Sequence, residues 1–217
     1  MYLPSHFREE RLEVLHDAMR AIAFASLVTH GPDGLIATHL PLAFDPQPAP
    51  YGTLYGHVAR GNPHWRAFAA GEASLAMFVG PHAYVSPSWY PGKHATGEDV
   101  PTWNYIAVHV YGTPRIIEEP ARLLDILTRL TDHQETARDP RWRVSDAPMP
   151  YLERQLRGIV GFEMPIARLE GKWKLSQNRN AADFEGARAG LAASPIERER
   201  EVAAAMAAAD PHRDQSR

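Results

Sequence analysis

Five short segments carry polar and aromatic side chains at positions where the strands of a purely structural protein would carry Val, Ile or Thr. Their sequences are ATHLP (37–41), GHVARGNP (56–63), SPSWYPGK (86–93), VPTWNY (100–105) and EGKWKLSQN (170–178). They bring cations, hydroxyls and amides together with flat aromatic rings. Cations and hydroxyls bind phosphate, and flat rings stack on a planar heterocycle, so the set predicts a site for a phosphorylated planar cofactor.

The phosphate is assigned to cations in two of these segments. Arg60 ends a predicted strand, and its planar guanidinium can donate two parallel hydrogen bonds to an anion. Lys174 and Ser176 add a second charge and a hydroxyl, and we expect loss of Arg60 to weaken binding most. The alternative for Arg60 is a rim salt bridge worth about 0–1 kcal/mol. The alternative for Lys172 and Lys174 is that they keep one strand face soluble.

The planar ring is assigned to aromatic and polar residues elsewhere. Trp89 and Tyr90 lie between prolines in a loop that can present their rings, although such a loop is more commonly held by its own aromatics. The TWN segment (102–104) enters an apolar strand, where polar donors can contact the edge of a heterocycle. Thr38 and His39 point to opposite strand faces, so at most one faces a given pocket. A hydrogen-bonded surface histidine is the alternative there. Flavin mononucleotide (FMN) and pyridoxal phosphate both fit this pattern.

Several chemistries are excluded by what the sequence lacks. The HExxH, P-loop, GxSxG and GxGxxG patterns are absent. There is no Cys, which removes disulfides, thiolate metal sites and cysteine nucleophiles. No pair of His residues four apart on a convincing helix supports zinc, so no metal is expected. A net charge of -3 over 217 residues provides no general positive field for a polyanion, so we expect no direct nucleic-acid binding.

The elements that must position these residues are mostly strands. FASLVTH and LIATHLPLAF flank the turn GPDG (31–34), and further strands follow at 53–60 and 74–80. A long strand, bent or interrupted near Gly112 and Pro114, is predicted at 102–117, and a last long strand or a hairpin at 158–176. About six to eight strands at short spacing predict an α+β fold, an antiparallel split β-barrel with peripheral helices, because closure removes exposed strand edges. Residues 1–191 are expected to form this domain, and 192–217 a C-terminal helix and flexible tail.

Helices are predicted from apolar periodicity and capping residues. Apolar residues recur at steps of three and four over 12–22, which predicts an amphipathic helix capped by Ser5. Another helix begins at Pro120, and a third is capped by Ser194 with Pro195 in its first turn. The charged start of the chain and the lack of an apolar run of about 18 residues predict a soluble, cytoplasmic protein with no membrane partner.

Several phrases of the sequence also resemble a known family. They are HFREE, GLIATHLPL, GTLYGHVARGNPHW, GPHAYVSPSWYP, VPTWNYIAVHVYG, IVGFEMPI and EGKWKLSQN. In order and spacing they look like the successive motifs of the PaiB-type, FMN-binding negative transcriptional regulators, from about Tyr2 to Leu191. The resemblance implies a split β-barrel related to pyridoxamine-phosphate oxidases and flavin reductases, usually a homodimer with FMN between the subunits. One departure is AIAF (21–24), where the family pattern has a proline before the phenylalanine.

The family pattern also implies which residues contact FMN. Carried onto this sequence, they are Thr38, His39, Leu40, Arg60, Asn62, Thr102, Trp103, Asn104, Lys174, Ser176, Gln177 and Asn178. Arg60 and Asn62 are implied near the phosphate and 102–104 near the ring. Three functions stay open: an FMN-dependent oxidoreductase with a small-molecule redox partner, an FMN-binding sensor or regulator without turnover, and a haem-binding or haem-degrading split barrel. A pyridoxal-phosphate-type binder is a further alternative.

Overall fold

The computed structural model describes residues 1–92, 97 and 99–212, so Lys93, the last residue of the SPSWYPGK segment, lies outside the described residues. The strands are β1 Arg8–Glu9, β2 Phe24–Gly31, β3 Gly34–Pro41, β4 Ala43–Asp45, β5 Thr53–Ala59, β6 Ser74–Val85, β7 Thr102–Gly112, β8 Arg115–Ile117 and β9 Ile159–Lys174. The helices are α1 Leu12–Ile22, α2 His64–Ala69, α3 Pro120–Glu135, α4 Met149–Leu156, α5 Ala181–Ala192 and α6 Glu197–Ala208. Within this part of the chain, no helix is both long enough and apolar enough to cross a membrane.

The strands form one large sheet in the order β3-β2-β6-β7-β9-β5-β4, with β1 and β8 also paired to β9. Antiparallel register is found between β2 and β3, β2 and β6, β4 and β5, and between β9 and each of β1, β5 and β8. The GPDG hairpin is confirmed, with Gly31 opposite Gly34 and Gly34 at a φ of 109° that favours glycine. The α+β class with a large antiparallel sheet is therefore confirmed. In the described residues the order ends at β3 and β4 and does not close into a ring.

Contacts divide the chain into two compact units. The terminal unit contains Met1–Glu10, Val79–Val108 and Glu170–Arg217, and the central unit contains Arg11–Phe78 and His109–Leu169. The long strands β6, β7 and β9 contribute residues to both. Helix α6 belongs to the terminal unit together with α5, and the domain boundary expected at residue 191 stays a prediction.

The core of the terminal unit forms where α5 and α6 pack together. Its buried members include Phe184, Leu191 and Met206 from the two helices and the fully buried Tyr90. Trp89 packs against this cluster and lies on α5 at Gly190, where a Cβ would overlap its indole ring. The alternative that this loop is held by its own aromatics is therefore correct. The expectation of an exposed stacking ring is wrong for Tyr90.

The core of the central unit includes a cluster between α3, α4 and the sheet. It contains the buried side chains Ile117, Leu123, Ile126, Leu130 and Leu156. Helix α3 begins at Pro120 as predicted, because the Glu119 carboxylate accepts hydrogen bonds from the backbone N–H groups of Ala121 and Arg122. Gly161 lies beneath this helix, since a Cβ there would collide with Leu123.

Ser5 and Ser194 do not cap the helices that the sequence predicted for them. Ser5 does not cap α1, because Arg8 and Glu9 pair with β9 as β1 and keep the chain extended until α1 begins at Leu12. Ser194 does not cap α6 directly. Its hydroxyl accepts a hydrogen bond from the Ile196 N–H at 3.1 Å, and the helix begins at Glu197.

Candidate functional site

The sequence-predicted FMN contacts fall into two sets, one in each unit. The terminal unit holds Thr102, Trp103, Asn104, Lys174, Ser176, Gln177 and Asn178. The central unit holds Thr38, His39, Leu40, Arg60 and Asn62.

Four members of the terminal set, Thr102, Lys174, Ser176 and Asn178, line a small cavity of about 170 Å³, which we call the lysine pocket. Its walls are Phe7, Val100, Pro101, Thr102, Lys174, Ser176, Asn178 and Arg179. Lys174 Nζ donates to Thr102 Oγ1 at 2.6 Å and to the Trp103 carbonyl at 2.5 Å. These bonds use two of the three N–H groups of the ammonium, so a third is left to donate to a ligand in the pocket.

The lysine pocket is electropositive. The pKa of Lys174 lies below its ordinary value because its ammonium is partly buried and faces the cations Lys172 and Arg179. Arg179 Nη1 donates to Asp99 Oδ1 at 2.6 Å, and the side chain of Asp99 is only 9% exposed. A bound anion would offset the repulsion among these cations, so the pocket is suited to a negatively charged group.

The end of β9 fixes the polar wall of the pocket. Ser176 has a φ of 67°, in the left-handed region, and its carbonyl accepts a hydrogen bond from the Arg179 N–H at 3.0 Å. The Ser176 hydroxyl and the fully buried Asn104 amide are paired, since Asn104 Nδ2 donates to Ser176 Oγ at 2.9 Å and Ser176 Oγ donates to Asn104 Oδ1 at 3.2 Å. Gln177 is bonded to its own segment, accepting from Leu175 N–H and donating to the Trp173 carbonyl, both at 2.7 Å. Asn104 and Gln177 therefore stabilise the turn that brings Asn178 and Arg179 to the pocket.

Trp103 presents an exposed aromatic surface. Its side chain is 52% exposed, and its ring centroid lies 6.2 Å from that of His82 and 6.3 Å from that of Tyr84. Adjacent residues of a strand point to opposite faces, so Trp103 and the pocket residue Thr102 belong to different faces of β7. A planar ring could stack on Trp103 without entering the lysine pocket.

Lys172 is not a solvated lysine. Its side chain is among the buried residues at 7% exposure, and its ammonium lies 5.4 Å from the ring centroids of both Tyr2 and Tyr105. Nζ also donates to the Tyr2 carbonyl at 3.0 Å. The alternative that Lys172 keeps the strand face soluble is therefore wrong, because two aromatic rings cover the cation.

In the central unit, Thr38 and Asn62 are parts of a hydrogen-bonded chain centred on His64. Asn62 Nδ2 donates to Thr38 Oγ1 at 3.0 Å, and Thr38 Oγ1 lies 2.8 Å from His64 Nδ1. His64 Nε2 lies 2.8 Å from Thr29 Oγ1, which is 2.6 Å from Ser74 Oγ. His64 is fully buried, so both ring nitrogens are satisfied by hydroxyl groups and neither faces water.

Buried histidines should make the protein less stable at acidic pH. Burial lowers the pKa of His57 and of His64 below 6.5 in the folded state. Below that pH the unfolded chain binds more protons, so the free energy of unfolding should fall as the pH drops from about 6.5, by up to about 1.4 kcal/mol per pH unit for each histidine. Urea unfolding between pH 7.5 and 5.5 measures this slope. H57Q and H64Q should each reduce it, and an unchanged slope in both variants would contradict the assignment.

Arg60 is held by groups of its own unit. Nε donates to the Arg157 carbonyl at 3.1 Å, Nη2 to the Ile159 carbonyl at 3.1 Å, and Nη1 to Glu118 Oε1 at 2.9 Å. Each terminal nitrogen carries a second N–H, so the guanidinium can still donate to a ligand. The rim salt bridge foreseen as the alternative is present.

Substitution of Arg60 should affect folding more than cofactor binding. R60A removes two hydrogen bonds to backbone carbonyls, and we expect the free energy of unfolding to fall by about 1 kcal/mol. The guanidinium is already bonded to two carbonyls and to Glu118, so we expect the FMN affinity of R60A to fall by less than that of a Lys174 variant, contrary to the expectation from the sequence. Urea unfolding and FMN titration of R60A check the two effects. If R60A lowers the FMN affinity more than K174M does, Arg60 and not Lys174 is the main phosphate contact.

The remaining predicted contacts of the central unit differ in exposure. His39 is exposed, and its Nδ1 lies 2.8 Å from Ser26 Oγ, which is the arrangement of a hydrogen-bonded surface histidine. Leu40 is buried at 4% exposure. Their assignment as FMN contacts stays a prediction.

Two residues of these clusters were missed by the sequence interpretation. Arg179 follows Asn178 directly, yet its partner Asp99 lies 80 positions away. His64 follows the GHVARGNP segment, and the hydroxyl of Thr29 that it contacts is 35 positions away. The only local signal is that each lies next to a predicted polar segment.

Comparison with known families gives a match over most of the chain. A family model described as "Putative FMN-binding domain" matches residues 1–168. The match includes the 102–104 segment and ends before Lys174.

Two curated proteins are similar over nearly their whole length. "Protease synthase and sporulation protein PAI 2" of Bacillus subtilis is 41% identical over 184 residues, which is 85% of this chain and 86% of that protein. An uncharacterized protein of Aspergillus fumigatus is 34% identical over 231 residues, covering 86% of this chain and 88% of that protein.

Solved structures share the fold at low sequence identity. An FAD and haem binding protein from Mycobacterium smegmatis has a TM-score of 0.60 at 16% identity, covering 83% of this chain and 79% of that chain. A flavocytochrome from Azotobacter vinelandii has a TM-score of 0.56 at 12% identity, covering 84% and 80%. At these identities the likeness concerns the fold alone.

Proposed function

Since the chain belongs to the PaiB-type family of FMN-binding domains, we propose that it binds FMN and that the lysine pocket of the terminal unit takes the phosphate. The observation that carries this proposal is the donor set around the pocket. Lys174 and Arg179 supply positive charge, Asn178 supplies an amide, and Ser176 supplies a hydroxyl whose proton a phosphate would share with Asn104 Oδ1. A phosphate dianion is bound by this combination of charge-assisted hydrogen bonds.

The size of the pocket supports a phosphate rather than a ring. Pockets that enclose a whole small molecule have volumes of about 300–1,000 Å³. The lysine pocket, at about 170 Å³, is smaller than that range. It is suited to one tetrahedral anion, while the isoalloxazine ring must lie outside it.

The chain's own residues bind and orient the cofactor. Lys174 is held by Thr102 and by the Trp103 carbonyl, so its remaining N–H is directed before a ligand arrives. FMN supplies hydride and single-electron chemistry when bound, and the protein decides its orientation and access. The Asn104–Ser176 pair keeps the Ser176 hydroxyl in place at the pocket wall.

We propose that the sheet forms a split barrel and that the protein is a homodimer, since the family resemblance implies both. The exposed rings of Tyr84 and Trp103, whose centroids lie 6.3 Å apart, support a partner or a planar ligand on that surface. Light scattering coupled to size exclusion tests the dimer, and a monomer at micromolar concentration would contradict it.

A regulatory role would not involve DNA contact by the C-terminal helix. In α6 the charges of Arg198 and Arg200 are offset by neighbouring glutamates, and Val202 and Met206 are buried in the core of the terminal unit. A recognition helix needs a basic face free to enter a groove. An electrophoretic shift with random duplex at physiological salt should show no complex.

The absorbance spectrum of freshly purified protein tests the proposed function. We expect a flavin spectrum, or its appearance after incubation with FMN and removal of free cofactor. A Soret band would instead favour haem, and a pyridoxal phosphate spectrum would favour that cofactor. Anaerobic titration with NADH or NADPH then separates an oxidoreductase, which bleaches the flavin, from a binding protein, which does not.

A further inference from the structure

Arg179 is a second cation of the lysine pocket, and the family pattern does not include it among the FMN contacts. Its guanidinium carbon lies 4.5 Å from the ring centroid of the fully buried Tyr90, and Nη1 donates to Asp99 at 2.6 Å. The backbone of Arg179 is fixed as well, because its N–H donates to the Ser176 carbonyl. The guanidinium is therefore positioned at the pocket wall before any ligand binds.

The pairing of Arg179 with Asp99 sets a condition on the ligand. The side chains of Arg179 and Asp99 are 26% and 9% exposed, so the pair is shielded from much of the solvent. A ligand that binds Arg179 must displace the Asp99 carboxylate, which carries one negative charge, or share the guanidinium with it. A group with a single charge has no electrostatic advantage over Asp99, whereas a dianion has one.

We propose that Arg179, balanced by Asp99, makes the lysine pocket selective for a terminal phosphate monoester, and so for FMN over both riboflavin and FAD. This inference rests on the proposed FMN function and adds a specificity-determining pair to it. A phosphate monoester carries about 1.5 to 2 negative charges at neutral pH. Riboflavin has no phosphate. Each phosphate of FAD carries one charge and has two substituents, one through an ester and one through an anhydride linkage, so it offers Arg179 no more charge than Asp99 does.

Two substitutions test the pair by opposite effects. R179Q should lower FMN affinity about tenfold, the loss expected for one charge-assisted hydrogen bond, while riboflavin affinity changes less than about twofold. D99N keeps an oxygen acceptor for Arg179 but removes its charge, so FAD should bind more tightly and the preference for FMN over FAD should narrow. R179K keeps the charge and should restore part of the FMN affinity.

The matched control is R188Q. Arg188 lies on α5 in the same unit and is paired with Glu185, but it is not part of the pocket wall. Its removal should leave all three flavin affinities unchanged. Flavin fluorescence titrations measure the affinities, and thermal unfolding verifies that each variant is folded.

A second readout separates this inference from the proposed function. Inorganic phosphate should raise the melting temperature of the wild type, and R179Q should reduce that shift while R188Q does not. If FMN and riboflavin bind the wild type equally, the selectivity of the pocket is overturned and FMN binding stands. If phosphate stabilises the protein through Arg179 but no flavin binds, the anion pocket stands and the flavin function is overturned. If R179Q changes neither FMN affinity nor the phosphate shift, Arg179 has no binding role.

Discussion

Replacement of Lys174 by Met should lower the affinity for FMN about 100-fold, the largest effect on binding that we expect from any single substitution. Lys174 contributes the ammonium of the lysine pocket, and two of its N–H groups are already used to hold it against Thr102 and the Trp103 carbonyl. Met has a similar length and no charge, so K174M keeps an apolar stem but removes the ammonium, which lies 5.8 Å from the centroid of the Phe7 ring. Titration of FMN into K174M and wild type measures the ratio.

Two further observations identify the charge as the cause. K174R should keep most of the affinity, because it keeps the positive charge. In the wild type, FMN affinity should decline at alkaline pH with a midpoint below 10.5, because burial, Lys172 and Arg179 lower the pKa of Lys174. In K174R that decline should move to higher pH. Equal affinities of K174M and wild type for FMN would remove Lys174 from the site.

Replacement of Phe162 by Ala should lower the free energy of unfolding by about 3–5 kcal/mol, the range found when large core aromatics are truncated. Phe162 is fully buried in β9, and its ring centroid lies 5.0 Å from that of Phe68. Gly56 faces the same ring, since a Cβ at that position would lie 2.9 Å from Phe162 Cζ. Glycine at 56 therefore leaves the ring its space.

The matched variant F162L retains most of the buried volume and should cost less than about 1.5 kcal/mol. Urea unfolding of the three proteins at neutral pH gives the comparison. A loss below about 1 kcal/mol in F162A would mean that the surrounding side chains collapse into the space and that the core is less rigid than the packing indicates.

Local signals predicted the elements whose determinants lie close together in the sequence. The hairpin at GPDG follows from turn residues between two apolar strands, and α3 follows from Glu119 and Pro120 at its start. The prediction that Ser5 caps the first helix is wrong, because Arg8 and Glu9 pair with β9 and keep the chain extended after Ser5. A side chain that can cap a helix does so only where the backbone is free to begin one.

The candidate site could be predicted only in part from the sequence, because only some of its contacts are between neighbouring residues. The segments around Lys174 and Thr102 were identified from their residue types, and the structure brings them together. The covering of Lys172 by Tyr2 and Tyr105, and the pairing of Arg179 with Asp99, depend on residues far apart in the chain. Sequence spacing does not show such contacts, so a buried cation and a solvated one look alike until the fold is known.

The stoichiometry of FMN binding tests the central claim most directly. Wild-type protein is saturated with FMN, separated from free cofactor by gel filtration, and analysed for flavin absorbance against protein concentration. We expect flavin to elute with the protein at a ratio of one FMN per chain. A colourless protein peak, with no saturable uptake of FMN in equilibrium dialysis, would contradict it.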